Sequence, residues 1–150
     1  MKTKKARKII TIPALLLTLL LWQGCSDYQQ CKRIETGPVD ITIYPNSTEF
    51  QDLNVVNGYV HLTSRPPSKG IIVYRYSQDQ FKAYERSCPH APDNPDAVVT
   101  VEEDNGMVAT DSVCGTRFLL IDGSPFEGPE SCPLTEYRTD YDGFRLRIYY

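Results

Sequence analysis

Apolar and polar side chains alternate along short stretches of the second half of the chain. Phe144, Leu146 and Ile148 are apolar, whereas Arg145 and Arg147 between them are charged. A side-chain period of two places the three apolar residues on one face of a strand. An earlier run at 71–76 is rich in branched and aromatic residues and is too short for a helix. The pattern predicts an all-β fold of antiparallel strands.

Turn signals separate these stretches. Asn-Gly or Asp-Gly pairs begin at Asn57, Asn105, Asp122 and Asp142. Such pairs favour tight hairpins because both residues tolerate a positive φ. The last pair predicts a hairpin between residues 134–140 and 144–149. The chain has 11 prolines, which argue against long helices, and no stretch has a convincing helical pattern.

The first 24 residues have the pattern of an export signal. A basic, acid-free start precedes an apolar stretch at 9–22 that is too short to cross a hydrocarbon core of roughly 30 Å. The stretch ends at Gly24-Cys25, which resembles the lipobox of bacterial lipoproteins. We therefore expect a signal peptide at 1–24, a lipid on Cys25, and an exported protein anchored on the periplasmic side or the cell surface. The alternative is ordinary secretory cleavage that leaves Cys25 as a thiol.

Removal of this signal changes the charge. The whole chain carries −3, but without the five basic residues of the signal 11 Lys and Arg stand against 19 Asp and Glu. A surface of that balance does not favour a nucleic-acid partner, which requires clustered positive charge. The remaining length suits one domain. We assign 25–38 to a polar tether and 39–150 to the domain.

The other cysteines suggest disulfides or metal ligands. Apart from Cys25, the cysteines are Cys31, Cys88, Cys114 and Cys132. In an exported chain four cysteines are ordinarily paired in disulfides, and three pairings are possible. Cys88 and His90 lie two residues apart in a loop stiffened by proline, and a second loop begins at Cys114. Two such loops presented by neighbouring hairpins are a reasonable way to hold a metal centre.

At these loops the sequence resembles the Rieske iron–sulfur family. Cys88-Pro89-His90 is similar to the first ligand loop, and Cys114 with Phe118 is similar to the second. Residues 71–76 and 81–86 resemble the strands before the first loop, and 126–129 resembles the Gly-Pro segment beside the cluster. The resemblance implies a Rieske-like domain of stacked antiparallel sheets with two ligand loops. It also implies a 2Fe–2S cluster, with a potential of about −150 to +300 mV, and electron transfer to a redox partner protein.

One position departs from the family. The second loop of the family reads Cys-x-x-His, and Arg117 stands at the histidine position. Arginine stays protonated and offers no lone pair to a metal. The ligands that carry over are Cys88, His90 and Cys114. The resemblance further implies that Arg117 faces solvent or pairs with an acid such as Asp122 or Glu127, and that Arg117→His improves cluster binding.

The incomplete ligand set leaves two alternatives to the cluster. The first is a cluster-free domain with a Cys88–Cys114 disulfide and a structural or protein-interaction role. The second is a zinc site of Cys88, His90 and Cys114, with or without Cys132. Since Cys31 and Cys132 lie outside the two ligand loops of the family, we expect them to pair with each other. No motif of a hydrolase, a metalloprotease or a phosphate loop occurs, so we do not expect an independent catalyst.

Overall fold

A computed structural model describes Cys31 and residues 34–150. The predicted signal peptide at 1–24, the lipid site at Cys25 and most of the predicted tether lie outside these residues. Within the part that is described, no helix is long and apolar enough to span a membrane.

The described chain is all-β, as the alternation of side chains predicts. Ten strands follow one another along the sequence: β1 Asp40–Ile43, β2 Tyr59–Leu62, β3 Ile71–Ser77, β4 Gln80–Glu85, β5 Val99–Glu102, β6 Asn105–Asp111, β7 Arg117–Leu119, β8 Pro125–Glu127, β9 Glu136–Tyr141 and β10 Leu146–Tyr149. They form a six-stranded sheet in the order β1-β10-β9-β4-β3-β2 and a four-stranded sheet in the order β5-β6-β7-β8. All of the strand pairs are antiparallel.

The described chain contains one short helix and no long one, as the prolines predict. Residues Thr48–Asn54 form a 3-10 helix, which is interrupted by non-helical backbone at Phe50. Its Leu53 is fully buried and packs with the core. Short 3-10 turns of this kind are common connectors and leave little periodic signal in the sequence.

Strand β3 supplies core residues on both of its faces. Ile72 and Tyr74 belong to an apolar cluster that also contains β5, β6 and β7 side chains of the smaller sheet. Ile71 and Val73 point the other way, into a second cluster with side chains from β4, β9 and β10. Alternate residues of a strand face opposite sides of the sheet, so a strand covered on both sides reads as a continuous apolar run.

The predicted C-terminal hairpin is confirmed as β9 and β10. Asp142 Oδ1 accepts the N–H groups of Phe144 and Arg145, and Gly143 has a φ of +92°. The short aspartate side chain stabilises the turn locally, and glycine adopts the positive φ without steric cost.

The packed part of the chain begins before residue 39. Ile34 and Thr36 are buried, although they lie in the stretch that the sequence assigns to a polar tether. Cys31 forms a disulfide with Cys132, which confirms the expected pair. The bridge joins the start of the described chain to the segment just before β9. A disulfide that closes a loop of about 100 residues stabilises a fold by several kcal/mol.

The buried carboxylate of Glu85 joins the larger sheet to the loop that follows β4. Its Oε1 accepts hydrogen bonds from Lys69 N, Ser87 N and Ser87 Oγ at 2.8–2.9 Å. Its Oε2 accepts the hydroxyl of Tyr137 on β9 at 2.5 Å. Burial raises the pKa of Tyr137, and Glu85 raises it further, so the phenol stays neutral and donates.

Loss of the Tyr137 hydroxyl should destabilise the protein. We expect Tyr137→Phe to lower the free energy of unfolding by about 1.5–3 kcal/mol, because a buried carboxylate loses one of its donors. Denaturant unfolding measures the change. The matched control is Tyr76→Phe, which removes a hydroxyl from a side chain that is 37% exposed. Equal stabilities of the two variants would contradict this role for Glu85.

Candidate metal and thiol site

Cys88 is held by backbone hydrogen bonds directly after the Glu85 network. Ser87 forms an isolated β-bridge with Val98, and the Cys88 N–H donates to Ala97 O at 3.3 Å. The Cys88 carbonyl accepts the N–H of Ala91, which closes a turn over residues 88–91. The Cys88 side chain is fully buried in the apolar cluster between the sheets.

Cys114 lies in the tight turn between β6 and β7. The Gly115 N–H donates to Asp111 O at 2.8 Å, and the Asp111 N–H donates to Thr116 O at 3.0 Å. Gly115 has a φ of +73°, which permits the turn. Cys114 is half-buried and packs against the same apolar cluster as Cys88.

The two sulfurs converge from these loops. Cys88 Sγ lies 3.4 Å from Cys114 Sγ, and Cys114 Sγ lies 3.2 Å from Thr116 Oγ1. Two thiolates at about 2.3 Å from one tetrahedral ion lie about 3.8 Å apart, and a disulfide brings them to about 2.05 Å. A small movement of either loop therefore suffices to bind a metal ion or to form a disulfide.

Asp111 is a third potential ligand that the sequence reasoning missed. Among the described residues, Cys88, Asp111 and Cys114 form the group whose ligand atoms all lie within 4.8 Å of one another. Asp111 is fully buried; its Oδ1 accepts the Val113 N–H at 2.7 Å. Its Oδ2 is also buried, and no N–H or O–H group among the described residues donates to it. The available signal was the alternation on β6, which places Asp111 on the same face as the buried Ala109.

His90 is not brought into this group. Its side chain is 46% exposed, and its Nδ1 lies 3.8 Å from Glu130 Oε2. Oε1 of the same glutamate accepts the backbone N–H groups of Ser131 and Cys132. The imidazole is thus directed to the segment that carries the Cys31–Cys132 disulfide.

Arg117 forms ion pairs on the outer surface of the smaller sheet. Its Nε and Nη2 donate to Glu102 at 2.8 Å each, and its Nη1 donates to Glu127 at 2.9 Å. The hydrogen bonds to these carboxylates raise the pKa of Arg117, with Glu102 the larger cause. The expected pairing with Glu127 is confirmed. The expected alternative, Asp122, instead accepts the N–H and the hydroxyl of Ser124.

Strand register separates Arg117 from the cysteines. Arg117 pairs with Thr110 across β6 and β7. Directly opposed residues point to the same face, so the neighbouring Asp111 points to the other face. The Arg117 guanidinium and the Cys88–Asp111–Cys114 group therefore lie on opposite faces of the smaller sheet.

The environment of the buried Cys88 thiol favours its uncharged form. Burial raises the pKa of Cys88, and the neighbouring carboxyl of Asp111 and the thiol of Cys114 add to the rise. The backbone N–H of His90 acts in the opposite direction, because it donates to the sulfur. At neutral pH the uncharged thiol is the favoured form in the absence of a bound cation.

Comparisons with known proteins give matches among solved structures only. No protein-family model matches the chain, and a search of curated proteins finds no match. Among solved structures, the chain is similar to one from a complex of reduced oxygenase and oxidized ferredoxin in carbazole 1,9a-dioxygenase, with 18% identity over 77% of this chain and 94% of that one and a TM-score of 0.49. It is also similar to the ferredoxin of carbazole 1,9a-dioxygenase from Nocardioides aromaticivorans IC177, with 18% identity over 74% and 95% of the two chains and a TM-score of 0.49.

The two thiols should differ in reactivity. In reduced, metal-free protein we expect iodoacetamide to alkylate Cys114 at least tenfold faster than Cys88 at neutral pH, because Cys88 is buried and its pKa is raised. The alkylation rate of Cys88 should increase as the pH rises, because the thiolate then forms. Peptide mass spectrometry with time measures both rates, and unfolded protein serves as the control in which they converge. Faster labelling of Cys88 in the folded protein would contradict the site geometry.

Proposed function

We propose that the chain is an exported lipoprotein whose Rieske-like domain does not hold a 2Fe–2S cluster and has a structural or protein-interaction role at the membrane. The observation that carries the proposal is the placement of Arg117. Its guanidinium is paired with Glu102 and Glu127 on the outer face of the smaller sheet, whereas the cysteines face inward.

The donor set does not fit a 2Fe–2S cluster of the Rieske type. Such a cluster uses two cysteines on one iron and two imidazoles on the other. Cys88 and Cys114 meet the first requirement. The second iron would have no second imidazole, because Arg117 stands where the family has a histidine and its guanidinium is paired with Glu102 and Glu127. The group beside the two sulfurs is the buried carboxyl of Asp111 and not an imidazole.

In the absence of a cluster the Cys88–Cys114 pair can be two reduced thiols or one disulfide. Its sulfurs are 3.4 Å apart, so oxidation in an exported location would close a disulfide with little movement. Since Cys31 pairs with Cys132, Cys88 and Cys114 are the two free cysteines among the described residues, and they lie next to each other. This supports a structural domain that is cross-linked by disulfides.

Anchoring by a lipid on Cys25 would keep the domain close to the bilayer. The described fold starts with Cys31, which is fixed to Cys132 by the disulfide. Six residues of extended chain reach at most about 20 Å, so the lipidated end and the clamped end would be near each other. The acidic balance of the chain favours a protein partner over anionic lipid or nucleic acid.

A second candidate is an electron carrier with an incomplete ligand set. The observation in its favour is the convergence of two cysteine sulfurs from two separate loops, which matches the ligation of one iron. This candidate requires a redox partner protein and an additional donor for the outer iron. Its expectation is that iron and sulfide accompany the purified protein.

Iron and sulfide analysis separates the two candidates. We expect the full chain, purified without oxygen and incubated with iron, sulfide and a thiol reductant, to retain much less than one cluster. Arg117→His should retain no more, because residue 117 lies on the face opposite the cysteines. Metal analysis, sulfide analysis and visible absorption give the result. Two irons and two sulfides per chain in the wild-type protein would refute the cluster-free proposal.

The anchor has its own test. We expect mass spectrometry of the membrane fraction to find a lipid-modified Cys25 at the mature N-terminus. Cys25→Ser should yield no lipid-modified form, because the cysteine thiol is the site of acylation. Ser26→Ala, next to it, is the control that should keep the lipid. A wild-type protein that is cleaved elsewhere and carries a free Cys25 thiol would exclude lipidation.

A further inference from the structure

The Asp111 carboxylate is difficult to explain by the protein alone. It is fully buried, its Oδ1 accepts the Val113 N–H, and no N–H or O–H group among the described residues donates to its Oδ2. One of its two oxygens lies within 4.8 Å of both sulfurs. A buried polar atom without a partner is unfavourable, and a buried carboxylate is normally paired with a cation or with several donors. A Cys88–Cys114 disulfide would leave this oxygen in the same environment.

We propose that Cys88 Sγ, Cys114 Sγ and one carboxylate oxygen of Asp111 bind a single Zn²⁺ ion, with the fourth position open to water or to a ligand from a partner. The inference rests on the proposed absence of a 2Fe–2S cluster. It differs from the zinc site expected from the sequence, since Asp111 replaces His90 and Cys132 is already in a disulfide.

The distances agree with a tetrahedral ion. Three ligand atoms that all lie within 4.8 Å of one another can share one ion. Bond lengths of about 2.3 Å to sulfur and about 2.0–2.2 Å to oxygen need ligand separations of about 3.5–3.8 Å. The sulfurs are 3.4 Å apart and need to separate by only a few tenths of an ångström.

The surroundings of the ligands support a bound cation. The Val113 N–H donates to Asp111 Oδ1 at 2.7 Å. The Thr116 hydroxyl lies 3.2 Å from Cys114 Sγ. Hydrogen bonds of this kind orient ligands and stabilise thiolates in metal sites. The same cation would compensate the charge of Asp111, and the half-buried Cys114 leaves one side of the site accessible.

The site should be tested with cobalt as a spectroscopic substitute for zinc. The full chain, in detergent and without oxygen, is reduced, freed of metal and titrated with Co²⁺. We expect one Co²⁺ per chain, with the absorption bands of tetrahedral cobalt and a sulfur-to-cobalt charge-transfer band, and displacement by one equivalent of Zn²⁺. In the same protein Zn²⁺ should protect both Cys88 and Cys114 from alkylation.

Variants identify the third ligand. Asp111→Asn keeps an acceptor for the Val113 N–H and should weaken Co²⁺ and Zn²⁺ binding at least tenfold. The control, Asp104→Asn, makes the same change in the exposed turn between β5 and β6 and should bind like the wild type. Circular dichroism and thermal unfolding check each fold. If Asp111→Asn does not fold, the cobalt bands and thiol protection of the wild-type protein still decide whether the site exists.

Several results would overturn the inference. The absence of thiolate–cobalt bands from reduced wild-type protein would exclude the site. If Asp111→Asn bound Zn²⁺ with normal affinity and His90→Ala bound it more weakly, the ligands would be Cys88, His90 and Cys114 instead. Uptake of two irons with two sulfides in preference to Zn²⁺ would refute the cluster-free proposal itself, whereas binding of neither metal would refute only the zinc site.

Discussion

The buried carboxylate of Glu85 is the interaction on which the arrangement of the site depends. Four donors converge on it, from the segment before β3, from β9, and from Ser87 directly before Cys88. Burial of a carboxylate is unfavourable unless its oxygens accept hydrogen bonds. The three segments that supply the donors therefore hold one another in place. The Cys88 loop therefore leaves the larger sheet at a fixed position, and the backbone bonds of the β6–β7 turn fix Cys114 opposite to it.

The smaller sheet separates two kinds of polar chemistry. On its outer face, Arg117, Glu102 and Glu127 form an exposed ion-pair network that also places the guanidinium 5.1 Å from the centre of the Phe126 ring. On its inner face, Asp111 lies beside two sulfurs in an apolar environment. Surface pairs of the first kind contribute little to stability, whereas a buried carboxyl needs hydrogen-bond donors or a cation. This contrast is why the inner group, rather than Arg117, is the basis of the proposed metal site.

The sequence predicts those features that depend on local rules. Alternation along 144–149 and the Asp142-Gly143 turn are enough for the last hairpin, because a side-chain period and a turn type need only neighbouring residues. The Cys31–Cys132 pair followed from the places of the two ligand loops. Asp111 was missed because its importance depends on the strand register that brings β6 to Cys88, and the pairing of Arg117 with Glu102 depends on the same register. The spacing of His90 to Cys88 predicts a ligand, and the structure places its Nδ1 3.8 Å from Glu130 Oε2, a contact that no local pattern indicates.

Anomalous X-ray diffraction from crystals of the anaerobically purified full chain would test the central claim most directly, since it locates and counts the metal atoms at the cysteine pair. The account predicts at most one metal ion, bonded to Cys88 Sγ, Cys114 Sγ and a carboxylate oxygen of Asp111, with the His90 ring beside Glu130 and the Arg117 guanidinium on Glu102 and Glu127. Two iron atoms bridged by sulfide, with His90 bonded to one of them, would contradict it.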